Sequence, residues 1–374
     1  MIKLNILSLF DGMACGVLAM QKAGVKVDTY TAYEIDKYAI QTATHNFPMI
    51  KECGDVFSAD FTQYKDIDYI IGGSPCTYWS IAQKNNRETE ASGLGWELFS
   101  QYVRALNDVK PKFFIYENNK SMSSAIRESI TKTFGFEPIC INSALVSAQN
   151  RNRLYWVGKR NDDGTYSKVD IKQPEDYGIF LKDILDNGCD LTVNDKSWTL
   201  TASYNGAVPW NMIERCQRNM VAEPVTDAIR VGSLPRPNGE LSTSQAMRIY
   251  STEGKSVNLV SGGGGMGGKT GLYAVPVEFK DNIPTKAVSY ADDKTYTVYE
   301  VKNGLIAIKG KEYPIKLNDG YYIIRKLTVS ECKRLQTVPE WYEFPVSDTQ
   351  AYKMLGNGWT VDVIAHLIKA TLNT

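Results

Sequence analysis

Four short apolar runs, each closing on a polar or glycine-rich corner and each followed by a stretch of helical spacing, restrict this chain to very few folds. Leu4–Leu9 closes on Phe10-Asp11-Gly12, Thr29–Glu34 ends in an acid, Asp68–Ile71 enters Gly72-Gly73-Ser74-Pro75, and Lys112–Glu117 ends in a second acid. Ala14–Lys22, Tyr38–Asn46, Glu97–Leu106 and Ser123–Thr133 carry the helical spacing, and Glu137–Ile141 and Arg153–Val157 read as two further strands. Strands that alternate with helices predict an α/β fold, a doubly wound parallel sheet with helices on both faces. In such a sheet a ligand lies outside the carboxyl ends of the strands. Glu34, Pro75-Cys76 and Glu117 all fall at strand ends, so one crevice can collect them.

From about residue 161 the helical periodicity fades and Gly, Pro, Asn, Ser and Thr rise. The run Gly262-Gly263-Gly264-Gly265-Met266-Gly267-Gly268 has no regular structure of its own. Asp195-Lys196-Ser197-Trp198-Thr199-Leu200 is echoed weakly by Gly254-Lys255-Ser256-Val257-Asn258-Leu259, too briefly to define a repeat. Order returns near the end: Gly356-Asn357-Gly358 reads as a turn, and Val361–Leu372 as a helix with Val361, Ile364, Ala365 and Ile368 on one face. That helix needs a sheet to pack on. The expected organisation is therefore an α/β domain over 1–160, a smaller, mostly β, loop-rich insertion over 161–345, and a segment over 346–374 that returns to the first domain.

Composition narrows the class. No run of about 18 apolar residues suggests a membrane span. Asn5 and Ser8 interrupt the first apolar stretch, which lacks a small-residue cleavage site and reads as a buried strand rather than an export signal; a cytoplasmic protein is expected. The seven cysteines, Cys15, Cys53, Cys76, Cys140, Cys189, Cys216 and Cys332, show no C-x-x-C spacing, and there are only two histidines. A disulfide framework and a metal site are both unexpected. Lys plus Arg and Asp plus Glu each number 42, so the net charge of 0 carries no nucleic-acid footprint.

The chemistry-bearing residues sit at the predicted strand ends. Phe10-Asp11-Gly12-Met13-Ala14-Cys15-Gly16 joins the first strand to its helix, where a tight turn and free N–H groups suit a ligand; it is not G-x-G-x-x-G, and an ordinary turn reads equally well. Glu34 stands where an acid binds ribose hydroxyls, and Asp55 in Gly54-Asp55-Val56 can reach an adenine amine; each reads equally as a solvated carboxylate. Cys76 follows Pro75 on a stiff backbone. An isolated cysteine is commonly a buried structural thiol, but Gly72, Gly73, Thr77, Ser80 and Gln83 argue against a core position. Arg151 and Arg153, at i and i+2 entering an apolar strand, point to one face.

Taken in order, Phe10-Asp11-Gly12, Glu34, Gly73-Ser74-Pro75-Cys76, Glu117-Asn118, Gln149-x-Arg151-x-Arg153 and Gly356-Asn357-Gly358 resemble the DNA cytosine carbon-5 methyltransferase family. Arg325-Lys326-Leu327-Thr328 and Glu331-Cys332-Lys333-Arg334-Leu335-Gln336 resemble its late segment. Thr77 stands where many members have Gln, Asn119 where Val is usual, and Gly358-Trp359 where Ser-Val is common. The resemblance implies a sheet of the S-adenosylmethionine-dependent methyltransferase type, with 1–160 as the catalytic and cofactor-binding domain and 161–345 as an inserted target-recognition domain. It implies transfer of the methyl group of S-adenosylmethionine to carbon 5 of a flipped cytosine, in double-stranded DNA at a specific short sequence, leaving S-adenosylhomocysteine. Phe10, Asp11, Gly12, Met13, Glu34, Ile35, Asp55, Val56, Pro75, Asn357 and Trp359 would line the cofactor site. Cys76 would add to the base, Glu117 would meet its ring nitrogen and exocyclic amine, and Arg151 and Arg153 would position the base and its carbonyl oxygen. Two settings stay open, restriction-modification with a cognate restriction enzyme as partner and an orphan or phage role, and a monomer is the expected state.

The chemistry explains these residue types. Carbon 5 of cytosine is a poor nucleophile until a thiolate adds at carbon 6. A free thiol titrates near about 8.5, so neighbouring positive charge or N–H groups must favour the anion; Arg151 and Arg153 are available. Glu117 must carry a proton when it acts as a donor to the ring. The target is inaccessible inside a duplex and has to flip out; the loop Ser80–Gly95, with Lys84 and Arg87, is expected to close over it. Arg230, Arg236, Arg248, Lys255 and Lys269 in the insertion are available to phosphates and bases, or are solvated charges. A nicotinamide oxidoreductase shares the sheet but leaves Cys76, Glu117 and the arginine pair unexplained. An RNA cytosine methyltransferase is the nearer alternative, and a non-enzymatic binding module would be expected to lack a reactive group.

Overall fold

A computed structural model of the chain describes residues 3–80, 87–186, 189–190, 196–215, 218–224, 230–233, 248–251, 272–274, 285–289, 293–308, 310–314 and 317–374. The chain divides into two compact units. One comprises Met1–Ile184, Asn194–Ala207 and Leu327–Thr374, the other Leu185–Val193 and Val208–Lys326.

The first unit is built on one sheet. Its strands are β1 (Lys3–Leu9), β2 (Lys26–Tyr33), β3 (Lys51–Glu52), β4 (Tyr69–Gly72), β5 (Phe113–Asn119), β6 (Ile139–Asn142), β7 (Asn152–Arg160) and β8 (Tyr166–Lys168). They lie in the order β3-β2-β1-β4-β5-β7-β6, with β8 against β7. Helices α1 (Cys15–Lys22), α2 (Lys37–Asn46), α3 (Gly93–Val109) and α4 (Ser124–Phe134) connect the strands. β1 to β5 pair in parallel, as the strand–helix alternation predicts. β7 runs antiparallel to both β5 and β6. The all-parallel expectation fails there for a local reason: only a 3₁₀ turn over Ser143–Leu145 and a short loop join β6 to β7, too little chain for a crossover.

Side chains alternate across the strands and bury both faces. Leu7, Leu9, Ile70, Phe114 and Tyr116 join Phe99 and Tyr102 of α3 and Ile126 and Phe134 of α4 in one cluster. The neighbouring positions serve the opposite face. There Gly16 of α1 comes so close to Tyr30 and Ile71 that a Cβ would lie 2.4 Å from each. Phe134 is the hub of the aromatic packing, with ring centroids 4.9 Å from Phe114, 5.6 Å from Phe99 and Tyr116, and 6.2 Å from Trp156.

The second unit has a largely antiparallel sheet in the order β17-β16-β15-β18-β10-β9, with β14 against β15. Its strands are β9 (Cys189–Asp190), β10 (Met220–Pro224), β14 (Lys286–Val288), β15 (Thr295–Lys302), β16 (Leu305–Ile308), β17 (Lys311–Pro314) and β18 (Gly320–Lys326). A three-stranded sheet of β11 (Arg230–Ser233), β12 (Arg248–Ser251) and β13 (Leu272–Ala274), and one helix, α5 (Pro209–Arg215), complete its described part. Arg236, Lys255, Lys269, the glycine run and the second half of the sequence echo lie outside the described residues.

Residues 327–345 belong with the first unit rather than the insertion, as do 161–184. α6 (Val329–Leu335) opens with a capping box: the Thr328 side chain accepts from Glu331 N and the Glu331 side chain from Thr328 N. α7 (Asp348–Asn357) and α8 (Val361–Leu372) follow. Gly356 and Asn357 end α7 instead of forming a separate turn, and Gly358 caps it. All four positions expected on the inner face of α8 are buried, and Val363 and Leu367 with them. The Tyr69 hydroxyl meets Thr371 Oγ1 at 2.7 Å, tying α8 to the sheet.

Phe134→Ala removes the shared partner of five rings, Phe99, Tyr102, Phe114, Tyr116 and Trp156, and is expected to cost about 3–5 kcal/mol. A fall in the denaturant midpoint worth less than about 1 kcal/mol would show that the cluster closes around the gap.

Candidate active site

The corner after β1 is an unusual turn. Phe10, Gly12 and Ala14 all have positive φ, at 59°, 62° and 58°. Only Gly12 adopts that region without steric cost, so Phe10 and Ala14 each hold roughly 1–2 kcal/mol of strain. The glycine missing from G-x-G-x-x-G is thus replaced by an alanine forced into a glycine conformation. The turn is fixed from β2: Phe10 N and Asp11 N donate to Tyr33 O at 2.9 and 3.3 Å. Just past β2, Glu34 Oε2 accepts from Gly12 N, and Oε1 from Ile35 N and Asp36 N, each at 2.8 Å. A Cβ built on Gly12 meets nothing within 4 Å, so the turn faces open space.

Beneath the turn lie two carboxyls at odds with their surroundings. Asp11 Oδ1 accepts from Ser8 Oγ and Tyr30 OH, both at 2.5 Å, while its buried Oδ2 has no hydrogen-bond partner among the described residues. Burial raises the Asp11 pKa to about 6. Both Glu52 oxygens are buried with no hydrogen-bond partner among the described residues, and desolvation, with Asp11 and Glu34 nearby, raises its pKa to about 8. Glu52 therefore carries a proton at neutral pH. Sequence reasoning missed it, because nothing in a lone Glu of Lys51-Glu52-Cys53 signals that β3 turns it inward.

The corner after β4 presses against the end of β5. The register pairs Gly72 with Tyr116, and a Cβ on Gly73 would lie 2.7 Å from Glu117 O and 2.8 Å from Glu117 Oε2. Gly73 has to be glycine for the Pro75-Cys76 corner to approach this acid. Buried Asn118 braces the same corner: its Nδ2 donates to Ser74 O at 3.1 Å and Tyr116 OH at 3.2 Å, and Ser74 Oγ meets Tyr116 OH at 2.7 Å. Cys76 opens a 3₁₀ turn over Cys76–Tyr78, and its side chain lies outside the described set. The Glu117 carboxylate is gripped from two sides, by Arg153 Nε on Oε1 at 3.0 Å and by Trp359 Nε1 on Oε2 at 3.1 Å.

Arg151 and Arg153 divide their duties. Arg153 faces Glu117, whereas Arg151 is buried and donates to three carbonyls: Leu200 O at 3.0 Å, Gly356 O at 3.1 Å and Gly358 O at 2.8 Å. A cleft of about 210 Å³ gathers Phe10, Asp11, Gly12, Met13, Glu34, Pro75, Glu117, Arg151, Arg153, Asn357 and Trp359 on its wall, with Asp36, Thr77 and Lys353. Three expected residues stand apart from that wall. Ile35 is 75% exposed. Asp55 is exposed and caps the turn Val56–Ser58 by accepting from Phe57 N, while buried Val56 offers its carbonyl to Arg104 at 2.8 Å. Lys84 lies outside the described residues, and Arg87 turns inward, donating to Ser121 O at 2.7 Å and Trp79 O at 3.2 Å.

The family model for C-5 cytosine-specific DNA methylase matches residues 4–373. The chain belongs to that family. It is a DNA (cytosine-5)-methyltransferase and takes its methyl group from S-adenosylmethionine. It is 26% identical to the orphan methyltransferase M.SPRI of Bacillus phage SPR, over 100% of this chain and 98% of that one. It is 25% identical to the type II methyltransferase M.HhaI of Haemophilus parahaemolyticus, over 99% and 95% respectively. Among solved structures, the Entamoeba histolytica methyltransferase EhMeth superposes with a TM-score of 0.53 at 15% identity, over 100% of this chain and 99% of that one, and shares the fold. Among the described residues no helix is long and apolar enough to cross a membrane.

The cleft suits this cofactor on structural grounds. Lys353 and Arg153 offset Asp36 and Glu117, which leaves the unpartnered Oδ2 of Asp11, the Glu34 carboxylate and the open space at Gly12 to admit a ligand that approaches the backbone closely. Asp11 and Glu52 both hold protons more tightly folded than unfolded. Stability must therefore fall as pH rises, from about 4 to 6 for Asp11 and from about 4.5 to 8 for Glu52. Glu52→Gln is expected to flatten the upper part of that decline in a plot of Tm against pH. An unchanged slope between pH 6 and 8 would mean that another group titrates there.

Proposed function

We propose that the enzyme methylates carbon 5 of a cytosine flipped out of double-stranded DNA at a specific short sequence, through a covalent adduct with Cys76. The observation that carries this reading is the contact of Gly73 with Glu117. It brings the Pro75-Cys76 corner against a carboxylate held by Arg153 and Trp359 on the wall of the cleft. An oxidoreductase on the same sheet has no use for that arrangement.

The Cys76 thiolate adds to carbon 6, and the displaced ring electrons make carbon 5 nucleophilic. Bound S-adenosylmethionine supplies the electrophilic methyl group. Loss of the carbon-5 proton to a base then expels the thiolate and restores the ring. Glu117, carrying a proton, donates to the ring nitrogen and accepts from the exocyclic amine, which competes with Arg153 and Trp359 for its oxygens. Arg153, already on Glu117, is within reach of the base carbonyl. Arg151 lines the cleft and, donating to three carbonyls, holds the Gly356–Trp359 segment and so the wall that carries Asn357 and Trp359. Phe10, Gly12, Met13, Glu34 and Pro75 bind the cofactor from the remaining sides.

Labelled S-adenosylmethionine, mixed-sequence duplex DNA and mass identification of the product nucleosides test the reading. Wild type is expected to give 5-methylcytosine, Cys76→Ala none, and Glu117→Gln a rate lower by roughly 10²–10⁴-fold. Methylation by Cys76→Ala would exclude the adduct. Product on RNA alone would move the substrate to the nearer alternative.

A further inference from the structure

The segment beyond the Cys76–Tyr78 turn is fastened by a constellation that the methyl-transfer chemistry does not itself require. Trp79 is fully buried, and its Nε1 donates to Glu88 Oε2 at 3.0 Å. Glu88 Oε1 accepts from Gly95 N at 3.2 Å, in the first turn of α3. The Glu88 backbone N–H donates to Tyr78 O at 2.9 Å, so Glu88 returns to the nucleophile's turn through main chain and side chain alike. The neighbouring Arg87 adds a donation to Trp79 O at 3.2 Å.

The surroundings are cut to admit this carboxylate. Ser92 is the N-cap of α3 yet makes no side-chain capping bond. Glu88 supplies the missing acceptor, and its charge suits the positive end of the helix. A Cβ on Gly93 would lie 2.5 Å from Glu88 Oε1, and one on Gly95 2.6 Å from both Glu88 Oε2 and Trp79 Nε1. Gly93 also has φ +78°. Two glycines and an uncapped helix therefore converge on one side chain.

We propose that Glu88 is a positioning residue for the turn that carries Cys76: by bridging Trp79 to the N-terminus of α3, it fixes where that turn sits against the end of β5. The proposal rests on the reading of Cys76 as the nucleophile. Since Glu88 acts through Trp79, its loss lowers the rate of the chemical step while cofactor affinity stays as it is. Misplacement of a reacting group by about 1 Å costs on the order of 100-fold in rate.

The test measures single-turnover methyl transfer to mixed-sequence duplex DNA, the Kd for S-adenosylmethionine and the thermal midpoint. The proteins are wild type, Cys76→Ala, Glu88→Gln, Glu88→Ala, Trp79→Phe and the double variant Glu88→Gln/Trp79→Phe. Glu88→Gln keeps the size of the side chain and exchanges one acceptor oxygen for an NH₂ group, and it serves if Glu88→Ala fails to fold. The expected result is a rate lower by roughly 10- to 100-fold in Glu88→Gln and in Trp79→Phe, with unchanged cofactor Kd. The double variant is expected to be no slower than the worse single one. Full-rate Glu88→Gln, or losses that multiply in the double variant, would overturn the proposal. An active Cys76→Ala would overturn the nucleophile reading and this proposal with it. An inactive Cys76→Ala beside fully active Glu88 variants would overturn this proposal alone.

Discussion

The site depends on how the buried charge of Arg151 is dissipated. A guanidinium out of water needs compensation worth several kcal/mol, and backbone carbonyls supply part of it. Arg151 donates to the carbonyls of Leu200, Gly356 and Gly358. Two of these belong to the end of α7, where unsatisfied carbonyls carry the negative pole of the helix. Cation and helix end therefore neutralise each other, and the geometry that achieves it is stiff. β7 is locked to α7, and the residues that follow, Asn357 and Trp359, are delivered to the cleft wall. Trp359 in turn holds Glu117. Arg151 thus builds the wall on which Glu117 stands.

Much of this was legible in the sequence, and the physical reason is that strand ends are marked twice. Period and length identify the strand, while the glycine, proline or acid at its end identifies the corner. Glu34, Pro75-Cys76 and Glu117 were placed in one crevice on that basis alone, and Glu34, Pro75 and Glu117 share the cleft wall. The inner face of α8 was equally readable, because a helix with six buried apolar positions can hardly be displayed otherwise.

What the sequence hid are relations between segments distant along the chain. Arg151 and Arg153 are one strand period apart and look equivalent. Only the approach of residues 200 and 356–358 gives Arg151 its different task. The antiparallel β7 was hidden because an apolar strand has the same pattern in either direction, and only the short link from β6 settles it. Residues 327–345 read as insertion because their short helix lacks length and periodicity, yet they belong with the first unit. Asn118 was visible beside Glu117, but its bracing of Ser74 depends on the β4–β5 register.

The two strained residues of the first corner and the acid that faces them form one device. An ionised carboxylate offers about four acceptor positions. Glu34 spends three of them on backbone N–H groups, of Gly12, Ile35 and Asp36. The bond to Gly12 N, with Tyr33 O accepting from Phe10 and Asp11, stabilises a turn that Phe10 and Ala14 would otherwise leave. One acceptor position remains for a ligand. Glu34 cannot therefore be a free arm that swings to meet a hydroxyl. It is held in place by the loop it stabilises, and whatever binds there must come to it along the open side of Gly12. Preorganisation of this kind limits the conformational cost of binding, and the strain at Phe10 and Ala14 is the stability the fold gives up to obtain it.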